Sequence, residues 1–257
     1  PLPSPHTPIA PSASWRGRSG INPYADFVME TDNSIGRILM ALRETGRADD
    51  ALVVITADNG CSPAADFEAL KEVGHFPSAG FRGAKSDLYE GGHRVPCIVR
   101  WPGRIARGGS LDALAGSTDL YATCLSAAGV TPPAVGGEDS VDLLPLLTGK
   151  AAAARDTYIM QSIDGRFAFR KGSLKYLACR GSGGWSSPNA KDADYLRLPP
   201  DQLFDLAQDP TEETNLARAR PADVEALWTE LERQVKAGRT TPGPASPNDG
   251  PVELKRD

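Results

Sequence analysis

The segment Leu52-Val53-Val54-Ile55-Thr56-Ala57-Asp58-Asn59-Gly60 decides the fold of this chain. Its first five residues are apolar or β-branched and predict a buried strand. A carboxylate, an amide and a glycine then arrive at the carboxyl end of that strand, where open α/β sheets bind their ligands. Asp58 and Asn59 offer adjacent hard oxygens of the kind that Ca²⁺ or Mg²⁺ takes. Asn-Gly is also a common turn dipeptide, so these residues alone leave a plain turn open.

Upstream, Tyr24, Phe27, Val28, Thr31, Ile35, Ile38, Leu39 and Leu42 recur at helical spacing. Asn22 before Pro23 predicts an N-cap with proline in the first turn, and Gly46 a stop. A helix followed by a strand implies a sheet with crossover helices. The Pro- and Ser-rich residues 1 to 23 form a loop that must be pinned from elsewhere.

Downstream, the pattern predicts a short helix over Asp66–Val73, a glycine-punctuated loop over Gly74–Gly92 and a second strand over Val95–Trp101. Ser117-Thr118-Asp119 then opens a helix through Leu120, Leu125 and Ala128. A proline-rich turn at Thr131–Gly136 and a helical turn over Val141–Leu147 follow. Beyond Gly149 the texture changes to short alternating runs at 157–162, 166–170, 173–177 and 202–206, which predict antiparallel hairpins. Ala222–Val235 reads as a helix with Val224, Leu227, Trp228, Leu231 and Val235 on one face. We therefore expect an α/β domain over residues 1–150, a small α+β subdomain with antiparallel strands over 151–237, and a disordered tail over 238–257.

The 257 residues are 40% apolar and 24% charged with net charge -5, which suits a globular core. This balance leaves no basic surface for nucleic acid or anionic lipid. No run approaches the roughly 18 apolar residues of a membrane span. Four widely spaced cysteines form no CxxC pair, so one disulfide is allowed and none required.

Chemistry concentrates in Phe81-Arg82-Gly83-Ala84-Lys85-Ser86-Asp87-Leu88-Tyr89-Glu90-Gly91-Gly92-His93-Arg94-Val95-Pro96. Its glycines let backbone approach a ligand or turn sharply. Lys85 is a point charge suited to an oxyanion. Asp-Asn-Gly at a strand end, then Gly-x-Lys-x-x-x-Tyr-Glu-Gly-Gly-x-Arg-Val-Pro, then a strand closing on Trp-Pro-Gly, resembles the sulfatase family of the alkaline-phosphatase-like superfamily. Pro5-His6-Thr7-Pro8, the helix carrying Tyr24, Val28, Asp32, Ile35 and Gly36, and Gln202-Leu203-Phe204-Asp205-Leu206 with Asp209-Pro210-x-Glu212-x-x-Asn215-Leu216 fit the same family in the same order.

The resemblance implies an α/β/α sandwich, present here in part, and hydrolysis of aryl or carbohydrate sulfate monoesters. It implies that Asp58 and Asn59 supply two ligands of a Ca²⁺ ion, with Mg²⁺ less favoured. Lys85 would hold the ester oxygens, and His6 would contact the sulfate or protonate the leaving group. His75 and His93 would line the substrate pocket, while Glu90 and Arg94 would order the loop. Trp185, the Arg180–Ser187 loop and Tyr195 are aromatic candidates for a sugar-facing wall. A periplasmic or extracellular location follows from the family alone.

The family's nucleophile is a formylglycine made from the first residue of Cys/Ser-x-Pro-x-Arg. Cys61-Ser62-Pro63-Ala64-Ala65 has Ala where that motif needs Arg, and it follows the metal-binding pair instead of preceding it. Cys61 is therefore expected to be structural or a pocket thiol. The chain opens at Pro1, and the expectation is a C-terminal portion whose nucleophile and remaining metal ligands precede it. Two alternatives stay open: a phosphodiesterase or phosphonate monoester hydrolase of the same superfamily, and a non-catalytic truncated homologue with a binding or structural role.

Overall fold

The first helix, α1, spans Pro23–Glu44 and opens as expected, with Asn22 Oδ1 accepting the Ala25 N–H at 2.9 Å. Gly46 follows its last turn at φ 69°, and Arg47 N–H returns to Leu42 O at 2.8 Å. This computed structural model describes residues 1–131, 133 and 136–256; part of the expected turn at Thr131–Gly136 lies outside the described residues. Residues 1–22 strap along α1 as the sequence requires. Asp26 accepts Gly17 N–H at 2.7 Å and Ser19 N–H at 2.8 Å, and Thr31 Oγ1 donates to Ser4 Oγ at 2.9 Å. The apolar stripe of α1 is another matter. Asp26 is the buried residue of this helix, whereas Val28 is 39% and Ile38 51% exposed. Helical period decides which side chains share a face; it does not supply what covers that face.

Strand β1 (Val53–Thr56) is followed by the short helices α2 (Phe67–Glu72) and α3 (Glu90–His93), and then by β2 (Cys97–Arg100). The two strands pair antiparallel, Val53 opposite Arg100 and Thr56 opposite Cys97. Among the described residues β1 thus has no parallel partner reached by a crossover helix, as helix-strand order alone implied. The chain between them makes only short helical turns and doubles back, which suits antiparallel pairing. Helices α4 (Leu120–Ala127) and α5 (Leu144–Leu147) follow. The buried Asp119 ties them, accepting from Gly116 N–H, Val141 N–H and Arg155 Nη2 at 2.6 to 2.9 Å.

The second half folds as the alternation predicts. β3 (Thr157–Gln161), β4 (Phe167–Lys171), β5 (Leu174–Leu177) and β6 (Gln202–Asp205) form one antiparallel meander, and α6 (Pro221–Ala237) packs on it. Neighbouring residues point to opposite faces. Phe169, Tyr176 and Leu203 pack with Val224, Leu227 and Leu231 of α6. Ala168, Leu177 and Phe204 face the other way, onto Leu88 and Tyr89 of the glycine-rich loop. One apolar cluster therefore crosses residue 150, where composition suggested a boundary. The segment after Gly238, where composition suggests disorder, has no helix or strand among the described residues. Ser246 N–H bonds Ala237 O at 2.8 Å, Leu254 packs near α6, and Arg256 pairs with Asp201 and Glu225.

Between the sheet and the loop, fully buried Lys175 of β5 lies 2.9 Å from Glu90 Oε1 and 3.0 Å from Glu212 Oε1. Arg94 Nε takes the other Glu90 oxygen at 2.7 Å. Glu212, held at φ 57°, accepts the Glu90 N–H at 2.6 Å and gives its carbonyl to Arg82 Nη1 at 2.8 Å. Burial pushes both carboxyls up; for Glu90, Lys175 and Arg94 outweigh it and the net shift is downward, while Glu212 stays raised. Removing Lys175 would strand two acidic groups in the interior. Lys175→Met is therefore expected to lower unfolding free energy by about 3–5 kcal/mol, read from urea denaturation; an unchanged midpoint would refute a working clamp.

Candidate active site

The Asp-Asn-Gly turn and the Tyr-Glu-Gly-Gly turn meet backbone to backbone. Gly60 N–H donates to Gly92 O at 2.9 Å, and Lys85 N–H donates to Cys61 O at 2.9 Å. A Cβ on Gly60 would fall 1.8 Å from Gly91 O, and one on Gly91 would fall 2.3 Å from Gly83 O. Neither distance admits a side chain, so glycine at 60 and 91 is what lets the end of β1 lie against this loop. The loop is braced from inside as well. Buried Asp87 accepts Ala84 N–H at 2.7 Å and Ser186 N–H at 3.0 Å, and Tyr89 Oη donates to Gln202 Oε1 at 2.9 Å.

This bracing presents Lys85 toward the N-terminal strap. Its Nζ lies 2.9 Å from His6 Nε2, across 79 positions of sequence. His6 Nδ1 is 2.7 Å from Thr7 O. A carbonyl only accepts, so Nδ1 carries the hydrogen and Nε2 turns its lone pair to the Lys85 ammonium. The structure thus brings together the two residues that the sequence singles out for anion binding and proton transfer.

Asp58 is exposed at the end of β1, and Asn59 beside it is half-buried, its Nδ2 donating to Gly60 O at 3.0 Å. Both have the hard-oxygen chemistry of a Ca²⁺ ligand. They are two where such an ion takes six to eight, and among the described residues no group of three or more His, Cys, Asp or Glu could hold a metal. These residues fit part of a shell, and no chemical step below is routed through an ion.

The other two histidines behave differently. His75 lies exposed just past α2, its N–H on Leu70 O at 2.9 Å. His93 turns inward beneath the loop, and among the described residues its Nε2 is buried without a hydrogen-bond partner. Burial, reinforced by the charge of Lys175, pushes its pKa down to about 4, against the pull of Glu90 and Asp87. Cys61 meets α1 through its thiol. Its Sγ donates to Tyr24 Oη at 3.2 Å and burial raises its pKa, so the thiol stays protonated. All four cysteines are free. A cavity of about 540 Å³ between the strap and α1 includes Asp26, whose carboxylate already accepts two backbone N–H groups.

Lys175, Asp87 and Gln202 were missed as parts of this site. Lys175 shares a sheet face with Leu177, and a lysine opposite Phe204 on a core-facing side was the available signal. Asp87 sits among glycines in a run read for its lysine, and nothing in its neighbours marks it as buried.

Taken together, the strand pair, the glycine-locked loop and the meander with its helix form an alkaline-phosphatase-like α/β fold, as in solved sulfatases and phosphonate hydrolases. A model of the Sulfatase family matches residues 2–130, and the chain belongs to that family. It is 31% identical over 238 residues to an N-acetylgalactosamine-6-O-sulfatase of Bacteroides thetaiotaomicron, covering 90% of this chain and 45% of that protein. Arylsulfatase A of Bos taurus is 34% identical over 222 residues, covering 82% and 42%. The chain spans somewhat less than half the length of these curated relatives. A solved structure described with the metabolism of multiple glycosaminoglycans by Bacteroides thetaiotaomicron superposes with TM-score 0.76 at 29% identity, covering 90% of this chain and 48% of that one. A phosphonate monoester hydrolase from Silicibacter pomeroyi gives 0.58 at 24% identity over 85% and 41%, a likeness of fold alone.

The lowered pKa of His93, whose Nε2 is buried, has a consequence for acid stability. An imidazole whose pKa falls on folding leaves the unfolded chain holding more protons between about pH 6.5 and 4, so stability drops as pH falls through that window. The stability advantage of the wild type over His93→Gln should shrink by on the order of 2 kcal/mol between pH 7.5 and 4.5, as measured by urea midpoints. A constant difference would show that His93 keeps its ordinary pKa.

Proposed function

We propose that these residues form the anion-binding side of a sulfuric ester hydrolase that cleaves sulfate monoesters of aryl alcohols or sugars. The observation that carries this reading is the contact of Lys85 Nζ with His6 Nε2, on a lysine whose own N–H is bonded to Cys61 O, two residues past Asn59. In hydrolysis the S–O bond to the leaving group breaks, and that oxygen gains negative charge. Lys85 answers the charge on the sulfate oxygens electrostatically. As water takes up the sulfuryl group, His6, its Nδ1–H fixed on Thr7 O, would relay to the departing oxygen, through Nε2, a proton received from the Lys85 ammonium or from that water. A Ca²⁺ ion, when bound with Asp58 and Asn59 among its ligands, would supply further positive charge at the sulfate. The relatives named for N-acetylgalactosamine 6-sulfate and arylsulfate cleavage favour sulfated hexosamines and related rings as substrates.

In the protein made from its own gene, Lys85→Ala should reduce kcat/KM for a chromogenic aryl sulfate by about 10² or more, and His6→Ala by about 10² to 10⁴. Cys61→Ala should leave turnover intact. Wild-type rates in the Lys85 variant, or a larger kcat/KM for a phosphonate monoester than for any sulfate ester, would overturn the assignment.

A further inference from the structure

Ser86, the residue after Lys85, holds a left-handed backbone with φ 84°, a conformation uncommon for serine. Two elements of the C-terminal half hold it there. Ile163 N–H, from the β3–β4 turn, donates to Ser86 O at 3.2 Å, and Trp185 N–H donates to Ser86 Oγ at 3.2 Å. Both donors carry large apolar side chains left open to solvent, Ile163 at 61% and Trp185 at 51% exposure. Trp185 is not on a loose loop. Its carbonyl accepts Asn189 Nδ2 at 2.8 Å, and flanking Gly184 lies so close to Ser86 that a Cβ would fall 2.4 Å from Ser86 O.

A backbone pinned on both sides that leaves an indole half-bare is preorganised for contact with something outside the chain. The indole contributes little to the core, while its fixed position lowers the entropy lost on binding. Consecutive Cα atoms are about 3.8 Å apart, so the pinned partner of Trp185 adjoins the lysine that meets the sulfate. The remainder of a sulfate ester must extend away from that lysine. A pyranose offers one apolar C–H face, which matches an indole, whereas an alkyl chain offers no flat face. We propose that Trp185 is a specificity-determining platform that receives the sugar ring carrying the sulfate. This deepens the sulfate-ester reading and rests on it.

Steady-state kinetics on a hexosamine 6-sulfate and on an acyclic alkyl sulfate test the platform. Trp185→Ala should raise KM for the sugar ester about 10-fold with kcat nearly unchanged, Trp185→Phe should restore most of the loss, and the alkyl ester should be indifferent to both. An unchanged KM for the sugar ester would overturn the platform, as would an equal loss on both esters, which would mean that Ser86 and Lys85 had shifted. A fluorescence titration with the unsulfated hexosamine separates the two readings. Quenching that disappears in Trp185→Phe, in a protein that turns over no sulfate ester, would retain the platform and sink the sulfatase assignment. Sulfate-ester turnover with neither Trp185-dependent quenching nor a KM effect would do the reverse.

Discussion

The structure depends on one lysine buried between two carboxylates. Lys175 reaches from β5 to Glu90 and Glu212, and Arg94 adds the second cation that balances them. Taking Lys175, Glu90 and Glu212 out of water costs several kcal/mol per ion before their mutual attraction offsets it, and an apolar cluster of equal volume could be as stable. What the charged cluster adds is a defined position. Glu90 can sit in one place only, opposite Lys175, with its own N–H on Glu212 Oε2. The turn bearing Glu212 thereby reaches back to the loop from over a hundred residues away, and Arg82 closes the ring on the Glu212 carbonyl and stacks over Tyr89 at 4.1 Å.

From this clamp the site follows by contact. With Glu90 fixed, Gly91 and Gly92 lie where Gly60 can approach them, and the end of β1 is held against the loop. With that approach made, Cys61 O takes the Lys85 N–H, and the lysine is aimed at the strap that carries His6. Asp58 and Asn59 stand on the same short turn. The candidate site residues all lie before position 100, while much of the packing behind their loop comes from a sheet after position 150. The loop that bears Lys85 is positioned here by a scaffold from the other half of the chain.

Much of this was legible in the sequence, for physical reasons. The N-cap at Asn22, the strands of the meander and the apolar face of α6 are local patterns, and each appears within a residue or two of its expected bounds. Lys85 and His6 were each singled out through the family motif, but their contact with one another was not legible. Strand pairing was not: β1 meets β2 antiparallel, because pairing is decided by the path of the connection and a run of apolar residues does not encode it. Nor was the inward turn of His93, since a histidine after two glycines looks the same whether its ring faces substrate or core. The half-bare stripe of α1 shows the same limit from the other side, for periodicity marks a face without naming its cover. Lys175 is the sharpest case. A lysine in a strand reads as solvated until both of its acidic partners, 85 and 37 positions distant, are brought to it.

The central claim is that the buried clamp acts on chemistry through the placement of Lys85. A double-mutant cycle on kcat/KM for a sulfate ester tests it directly, using Lys85→Ala, Lys175→Met and their combination under conditions where all are folded by circular dichroism. If Lys175 works by aiming Lys85, the combined variant turns over no more slowly than Lys85→Ala alone, because residues acting as a unit are strongly non-additive. Losses that simply multiply, or a folded Lys175→Met with wild-type kcat/KM, would contradict the account.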